Sequence, residues 1–481
     1  MARIAEYEEQ DALGLAAWVR DGEVGPGELL DEAIRRVEAC DPALGAVVVR
    51  AFDEARRAID AGLPDGPLRG VPYLLKDLHT AWAGIALTSG SRFFRDQVSD
   101  YDSEYAARCK RAGLVLFGRT ASPEFGITTT TESQLYGRTR NPWNPEHTAG
   151  GSSGGAAAAV AAGIVPAAQA SDGGGSIRVP ASCCGLFGLK PTRARVSMGP
   201  KAGEGWSGMS TLHAVSRSVR DSAALLDAVA GPASGDPYWA PSQARPFLDE
   251  LGADPGRLRI ALQTETFNGA ETDAECATAA RDAARLCESL GHDVEEARLE
   301  VDREALARST QVIIGSAVRE GLIERGASLG REATAADVEP ISWLMSEAAG
   351  SAGAHEYLRA TKRIHAVGRQ VEAFLARYDA WLMPTMATLP LPLGRLALTR
   401  ADVGGLMTDL GRTVGFTQLF NASGHPAMSV PLASSEAGLP IGVQFAARFV
   451  DEATLFRLAA QLEQAQPWAQ RRPPLAVSLE S

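Results

Sequence analysis

Two blocks dense in glycine and serine, set among residues that normally build a hydrophobic core, constrain this chain more than any other feature. They read TAGGSSGGAAAAVAAG at 148–163 and SDGGGSIRVPASCCGLFGLKPT at 171–192. A glycine inside a helix or strand costs about 0.5–1 kcal/mol relative to alanine. Dense glycine therefore indicates backbone that approaches another group closely or adopts unusual dihedral angles. For either block taken alone, a flexible loop is the simpler interpretation.

Short apolar runs alternate with helical runs around the two blocks. The sequence predicts strands at 71–75, 114–117 and 164–168, with helices at 103–112 and 156–162. Strands that are apolar on both faces are typical of a sheet covered by helices on both sides. We therefore predict an α/β protein with a central twisted β-sheet.

The 481 residues are expected to form one domain built from five segments. These are an N-terminal helical segment (1–65), a core that holds both glycine-rich blocks (66–230), a linker-like excursion rich in Gly, Pro, Ser and Asp (231–254), an α-rich segment on the substrate side (255–380) and a C-terminal return to the sheet (381–481). The later segments carry strand-like runs at 258–262, 381–383, 428–431 and 441–445, and helical patterns at 272–290, 302–379 and 452–465.

Charge and cysteine usage exclude several classes of protein. Lys plus Arg number 47 against 59 Asp plus Glu, a net charge of −12, so the chain lacks the footprint of a nucleic-acid binder. The six cysteines form no C-x-x-C motif, which argues against a disulfide scaffold or a zinc ribbon. No signal peptide is recognised, and the longest uncharged stretch, 147–171, is too polar to span a bilayer. We expect a cytoplasmic protein without a nucleic-acid or membrane partner.

The second block holds a candidate nucleophile beside candidate hydrogen-bond donors. Successive N–H groups of Gly173, Gly174, Gly175 and Ser176 can point into one concavity and bind an anion. A hydroxyl beside such donors suits acyl transfer, because the donors stabilise the oxyanion of the tetrahedral intermediate. A serine hydroxyl also needs a base to remove its proton.

Lys76 is the candidate base. It follows the apolar strand predicted at 71–75, so its amine is carried into or beside the core, where desolvation lowers the pKa of a lysine. A pKa near neutrality would make Lys76 a working base. The alternative is an ion pair with Asp77 at the strand end. The seven histidines lie in no pattern and are predicted to take surface or core roles.

These residues resemble the amidase signature family, which uses a Ser–Ser–Lys triad. The resemblance rests on Lys76, the GGSSGG block and the DGGGSIR block, with 76 residues from Lys76 to Ser152 and 24 from Ser152 to Ser176. It continues more loosely through NPWNP at 141–145, GLFGLKPT at 185–192 and GLPIGVQ at 438–444. The family's fold is a mixed, twisted β-sheet covered by helices on both faces.

The resemblance implies a role for each matching residue. Ser176 would be the nucleophile, Ser152, preceded by a cis peptide bond, would relay protons, and Lys76 would be the base that later acts as the acid. The N–H groups of residues 173–176 would form the oxyanion hole. Ser153, Asp172 and Arg178 would hold the two loops in place.

Gly173 departs from the family, whose members more often carry Thr, Ala or Ile at that position. Only the N–H group is needed there, so the chemistry is unaffected, but a looser loop is expected.

Other motifs carry less weight. Residues 151–155 match the G-x-S-x-G of α/β-hydrolases, but that motif needs a strand directly before it, and 141–149 reads as a proline-broken loop. Residues 203–208 match G-x-G-x-x-G without a preceding strand or a following helix, and are interpreted as a loop, a candidate wall of the substrate pocket. Asn421-Ala422-Ser423 is a formal glycosylation sequon that a cytoplasmic protein does not use.

Three kinds of family member share the triad and differ in their substrates. The chain most resembles bacterial amidases of the kind that include 6-aminohexanoate-cyclic-dimer hydrolase, notably in GVPYLLKDL at 70–78 and the PW-x-x-RRP ending at 467–473. Related enzymes cleave aryl amides and carbamates. The alternative is the glutaminase A subunit of glutamyl-tRNA amidotransferase, but the acidic residue expected before 416–421 is missing, since 412–415 read Arg-Thr-Val-Gly. A fatty acid amide hydrolase would need an apolar membrane cap, which is absent.

The expected function is hydrolysis of a small amide or carbamate substrate. A non-catalytic scaffold is disfavoured because both serines and the lysine are present. Specificity is expected to come from 198–209, 313–324 and 401–418. The chemistry implies no metal or organic cofactor, and a homo-oligomer stays open.

Overall fold

One large mixed sheet organises the computed structural model, which describes residue 4 and residues 6–476. Its eleven strands lie in the order β1-β3-β2-β8-β10-β9-β14-β15-β13-β11-β12, and two small ribbons pair β4 with β5 and β6 with β7. The strands are β1 (Val47–Arg50), β2 (Pro72–Lys76), β3 (Val115–Thr120), β4 (Glu132–Ser133), β5 (Gly137–Arg138), β6 (Arg140–Asn141), β7 (Asn144–Thr148), β8 (Ala167–Asp172), β9 (Phe187–Lys190), β10 (Thr211–Ser216), β11 (Arg259–Leu262), β12 (Asp293–Glu296), β13 (Ala380–Pro384), β14 (Ala427–Ser434) and β15 (Pro440–Ala446).

Fifteen α-helices accompany the strands in the described part of the chain. They are α1 (Ala12–Asp21), α2 (Pro26–Leu44), α3 (Phe52–Asp60), α4 (Glu104–Arg111), α5 (Gly154–Ala161), α6 (Arg178–Cys184), α7 (Val219–Val229), α8 (Phe247–Glu250), α9 (Ala274–Ser289), α10 (Arg303–Leu329), α11 (Pro340–Gly350), α12 (Ala354–Leu375), α13 (Val403–Val414), α14 (Gln418–Ser423) and α15 (Glu452–Ala465). The mixed α/β architecture predicted from the sequence is confirmed.

Parallel pairs lie near both ends of the sheet and flank an antiparallel middle, and the edge strand β1 pairs antiparallel with β3. Strand β2 pairs in parallel with β3 and β8, and β11 pairs in parallel with β12 and β13. The strands from β8 to β13 pair antiparallel. The carboxyl ends of parallel neighbours meet at one edge of a sheet, so β2 and β8 bring their last residues, Lys76 and Asp172, to the same edge.

Helix α5 shows why the first block is rich in glycine and alanine. Every residue from Gly154 to Ala161 is buried, and the helix packs on β8 and β2. Small residues let a helix approach a sheet closely, and a side chain at Gly155 would meet the backbone of Ala121 at 2.4 Å. The block is therefore packed structure, and the flexible-loop interpretation is wrong for it.

Several predicted boundaries need correction. The predicted strand at 164–168 begins only at Ala167, because Pro166 has no N–H to donate to a sheet. Strand β1 was not expected in the N-terminal helical segment, and pairs with β3 at the sheet edge. Strands β9 and β10 were not predicted either. In the α-rich segment 255–380, the strand predicted at 258–262 is β11, whereas β12 was not predicted.

The excursion at 231–254 is a surface segment attached to the body of the protein. The Arg108 guanidinium donates to the carbonyls of residues 229–232 at 2.7–2.8 Å. Phe247 is buried against Phe456. The six cysteines are free and buried. Among the residues that the structure describes, no helix is both long and apolar enough to cross a membrane.

Candidate active site

Lys76 is the last residue of β2, and its side chain is fully buried. Its Nζ donates to three hydroxyl oxygens: Ser152 Oγ at 2.7 Å, Ser153 Oγ at 3.0 Å and Ser171 Oγ at 3.0 Å. An ammonium carries three N–H donors, so each has one acceptor. We call these four residues the lysine–serine cluster. Ser171 was not singled out from the sequence, although it opens the second glycine-rich block.

Burial lowers the pKa of Lys76 to about 7, although the negative charge of Asp172 opposes the shift. The hydroxyls of the cluster accept hydrogen bonds but carry no charge, so they offset only part of the hydration that an ammonium loses on burial. Asp77 does not pair with Lys76. Its carboxylate instead accepts hydrogen bonds from Thr88 and from the N–H of Gly90, so the alternative of an ion pair is wrong.

Ser152 stands at the start of α5, directly after a cis peptide bond between Gly151 and Ser152. This is the cis bond that the family resemblance implied. A side chain at Gly151 would lie 2.4–2.5 Å from the backbone of Thr130, so only glycine fits there. Ser152 is 1% exposed and Lys76 0% exposed, whereas Ser176 is 7% exposed. Ser176 is therefore the most accessible of the three.

Ser176 ends the loop between β8 and α6, which we call the glycine loop (residues 173–176). Among the described residues, no hydrogen bond joins Ser176 to Ser152 or Lys76. Gly175 has a φ of 134°, and a side chain there would meet Thr417 Oγ1 at 2.5 Å. Both its dihedral angle and its close approach require glycine.

The N–H of Gly175 is already used. It donates to Asp172 Oδ1 at 2.7 Å, a contact that was not predicted from the sequence. The physical reason is that the chain turns sharply after β8. This turn brings the glycine loop back onto the carboxylate of Asp172, the last residue of that strand. In the part of the chain that the structure describes, the N–H groups of Gly173, Gly174 and Ser176 donate no hydrogen bond.

Asp172, the last residue of β8, holds the base of the glycine loop. Its carboxylate accepts hydrogen bonds from Arg178 Nε and Nη2, both at 2.9 Å, and from Asn421 Nδ2 at 2.8 Å. Burial alone would raise the pKa of Asp172, but the charge and hydrogen bonds of Arg178, with those of Asn421, hold it well below the usual range. Asp172 and Arg178 are both fully buried. We call Asp172, Arg178 and Asn421 the Asp172 network.

The C-terminal part of the chain completes this network. Arg178 Nη1 donates to Thr417 O at 2.9 Å and to Gln444 Oε1 at 2.7 Å, and Thr417 Oγ1 donates to Gly174 O at 2.7 Å. Thr417, Asn421 and Gln444 were not predicted as site residues. Gln444 ends the GLPIGVQ motif, which was the available signal. Asn421 is 1% exposed, so the formal sequon lies in the core.

The segment before the G-x-S-x-G match at 151–155 differs from the loop predicted from the sequence. Strand β7 does precede it, whereas a loop was expected. However, β7 pairs with β6 in a two-stranded ribbon outside the central sheet, with one isolated bridge from His147 to Pro392. The strand of an α/β-hydrolase elbow belongs to the central sheet. The arrangement at 151–155 is therefore not such an elbow.

In the described ranges, 4 and 6–476, no group of three or more His, Cys, Asp or Glu side chains is placed to hold a metal ion. The groups that converge here are hydroxyls, one amine and backbone N–H donors. Such a set suits nucleophilic attack on a carbonyl.

Comparison with known proteins agrees with this geometry. The sequence matches the family model described as Amidase over residues 28–456. The 6-aminohexanoate-cyclic-dimer hydrolase of Pseudomonas sp. (strain NK87) is 40% identical over 479 residues, which cover 97% of each chain. A solved structure of 6-aminohexanoate cyclic dimer hydrolase complexed with substrate superposes with a TM-score of 0.93 at 39% identity, covering 97% of this chain and 99% of that chain. A bacterial aryl acylamidase of the amidase signature family gives a TM-score of 0.89 at 29% identity, covering 96% of this chain and 97% of that chain.

The resemblance seen in the serine and lysine motifs thus extends over nearly the whole chain, in sequence and in fold. This protein belongs to the amidase signature family and is a hydrolase that acts on carbon–nitrogen bonds.

Proposed function

We propose that the protein is a stand-alone amidase that hydrolyses small amides through an acyl-enzyme on Ser176, with Ser152 and Lys76 completing a Ser–cisSer–Lys triad. One observation carries the proposal: the buried amine of Lys76 contacts Ser152 Oγ at 2.7 Å and has no counter-ion among the described residues. Because burial lowers the pKa of Lys76 to about 7, the amine is neutral in a large fraction of molecules at neutral pH.

The neutral amine of Lys76 accepts the proton of the Ser152 hydroxyl, and Ser152 takes the proton of Ser176. The Ser176 Oγ then bonds to the amide carbon, and the carbonyl oxygen takes the negative charge. A base matched in pKa to the working pH supplies about 10²–10⁴ in rate. The deeper burial of Lys76 and Ser152 keeps bulk water away from this proton path.

The N–H groups of Gly173, Gly174 and Ser176 are the donors that we assign to the oxyanion. Each donor of this kind typically contributes about 2.7–4 kcal/mol to the transition state. The Asp172 network fixes the loop that carries them, because it anchors Gly175 N–H and, through Thr417, the Gly174 carbonyl.

Collapse of the intermediate breaks the carbon–nitrogen bond. Lys76, now an ammonium, returns its proton through Ser152 to the leaving amine, and the acyl group stays on Ser176. A water molecule then attacks the ester, its proton follows the same path, and the acid is released.

Small amides, aryl amides, carbamates and aminohexanoate oligomers are the substrates that we consider. The 6-aminohexanoate-cyclic-dimer hydrolases and the aryl acylamidase among the similar proteins support this range. We infer that the enzyme acts in the cytoplasm on free small molecules, without a nucleic-acid partner. Segments 198–209, 313–324 and 401–418 are proposed to set its specificity, since Met209, Ile313 and Phe416 share one hydrophobic cluster.

Amine release from a mixed panel tests the proposal. The panel holds glutamine, acetamide, 4-nitroacetanilide, an aryl carbamate and the 6-aminohexanoate cyclic dimer, with Ser176→Ala as the blank. We expect wild-type turnover of at least one substrate other than glutamine and none by the variant. Turnover of glutamine alone, or activity that survives in Ser176→Ala, would contradict it.

A further inference from the structure

Gly173 is glycine because the ring of Trp206 lies where its side chain would be. A Cβ built on Gly173 would stand 2.5 Å from Cζ3 and 2.6 Å from Cε3 of Trp206. The φ of Gly173 does not fall in the left-handed region, so the backbone itself does not require glycine. The prediction of a looser loop at this position overlooked this packing, because the indole fills the space that a larger residue would occupy.

Hydrogen bonds to Ser207 and Met209 fix the segment that carries this ring. We call residues 203–209 the Trp206 loop. Trp206 and Ser207 both have positive φ, 51° and 53°, a conformation that non-glycine residues adopt only where the surroundings enforce it. Ser207 Oγ and Tyr357 Oη on α12 share a hydrogen bond of 2.6 Å. At its other end, Met209 O accepts a hydrogen bond from Asn421 Nδ2 at 3.0 Å.

The ring also has an apolar setting. Trp206 is partly buried and packs against the cluster that contains Met209, Ile313 and Phe416. It lies on one side of the site, against the glycine loop. On the Ser152 side, a side chain at Gly126 would come within 3.1 Å of Ser152 Oγ, and its neighbours Phe125 and Ile127 are apolar and partly exposed.

We propose that Trp206 is a specificity-determining residue that forms the apolar wall of the pocket beside the glycine loop. The proposal rests on the amidase function given above and names the substrate class of that site. The wall selects amides that carry an uncharged aryl or extended aliphatic group on the scissile amide nitrogen. A small amide such as acetamide does not reach the ring and gains nothing from it.

Residue 173 controls the position of this wall. An alanine at 173 keeps the N–H group but places its Cβ inside the van der Waals envelope of the indole. The ring is the free end of a side chain, whereas the backbone on both sides is hydrogen-bonded, so the ring is what moves. Gly173→Ala therefore has the same effect on substrate choice as the loss of the indole.

The experiment compares kcat/KM for 4-nitroacetanilide and acetamide in five proteins. These are the wild type, Trp206→Ala, Gly173→Ala, the double variant and Trp239→Ala. Trp239 is 57% exposed on the 231–254 excursion and provides a matched control for the loss of an indole. We expect the anilide preference to fall at least tenfold in Trp206→Ala and in Gly173→Ala, and the double variant to fall no further than either. In both variants the loss falls mainly on the anilide, and Trp239→Ala keeps both the wild-type preference and the wild-type acetamide turnover.

Equal losses on both substrates, or effects of the two single variants that multiply in the double variant, would overturn the assignment of Trp206. Trp206→Phe, which keeps an aromatic wall, is the second variant should Trp206→Ala fail to fold, and an intermediate preference is expected from it. A wild-type preference in Trp206→Phe would contradict the role of the indole. A wild type without Ser176-dependent turnover would instead overturn the proposed function, so the two failures are distinguishable.

Discussion

Lys76 and Asp172 are both fully buried, and both end neighbouring parallel strands, but their surroundings have opposite consequences. Lys76 meets only hydroxyls, and burial lowers its pKa to about 7. Asp172 meets the guanidinium of Arg178, and its pKa is held well below the usual range. A charge buried without a partner becomes a group that titrates near neutrality, whereas a paired one becomes a permanent anion that fixes the backbone around it. In the proposed mechanism, the amine of Lys76 transfers protons, whereas the carboxylate of Asp172 holds the glycine loop in position.

The largest expected effect comes from removing the amine. Lys76→Met keeps much of the volume of the side chain but leaves the triad without a base, so kcat/KM should fall about 10³-fold or more. Steady-state kinetics on any substrate found active in the panel measures the loss. The matched control is Lys190→Met, because Lys190 is equally buried but, among the described residues, its Nζ donates only to Pro191 O, at 2.7 Å. Equal losses in the two variants would break the distinction between them.

The second prediction tests the buried ion pair between Asp172 and Arg178. Asp172→Asn leaves Arg178 buried with its charge uncompensated, which should lower the free energy of unfolding by about 3–5 kcal/mol. Denaturant titration followed by circular dichroism measures it. Asp293→Asn is the control, since its ion pair with Arg257 is exposed and screened by water, so its loss should leave the stability nearly unchanged. Similar small changes in both variants would mean that Asp172 does not carry the structural role.

The third prediction concerns the loop that joins the two regions. Gly175→Ala forces a side chain into a φ of 134° and against Thr417, whereas a side chain at Gly174 meets no atom within 4 Å. We expect Gly175→Ala to lose about 1–3 kcal/mol of stability and Gly174→Ala to lose less than that. Thermal unfolding of the two variants side by side measures the difference. The reverse order would contradict the geometry of the loop.

The sequence was informative where function demands a local pattern. Lys76 could be found because it directly follows an apolar strand, and Ser152 and Ser176 because glycine surrounds them. Asn421 and Gln444 could not, since they reach Arg178 from 243 and 266 residues further along the chain, and only folding brings them there.

The same limit applies to the strands. Strand β10 mixes polar and apolar residues, among them a buried histidine, His213, and so lacks the apolar run that revealed β2. The use of Gly175 N–H by Asp172 was equally hidden, because a run of glycines shows that donors exist without showing which of them is already occupied.

The pH dependence of the rate sharpens the comparison further. The active form has Lys76 neutral, so kcat/KM should rise about tenfold per pH unit below pH 7 and level off above it. Burial also lowers the pKa of Lys190 to about 7, so the wild-type profile alone does not identify the group. The profile of Lys190→Met should keep the acid limb near pH 7. If the limb disappears or moves in this variant, the titrating group is Lys190 and not Lys76.

The smallest expected effect comes from a single hydroxyl of the lysine–serine cluster. Ser171 Oγ accepts a hydrogen bond from Lys76 Nζ at 3.0 Å, and such a bond favours the charged form of the amine. Ser171→Ala should therefore lower the pKa of Lys76 further and move the acid limb of kcat/KM to lower pH by about 0.5–1 unit, the size expected for one hydrogen bond. The plateau rate should change little, because the contact with Ser152 remains. Ser222→Ala, which removes a buried hydroxyl that contacts His213 instead, should leave the limb in place. A limb that stays in place in Ser171→Ala would mean that this hydroxyl does not stabilise the ammonium, and that burial sets the pKa of this lysine without it.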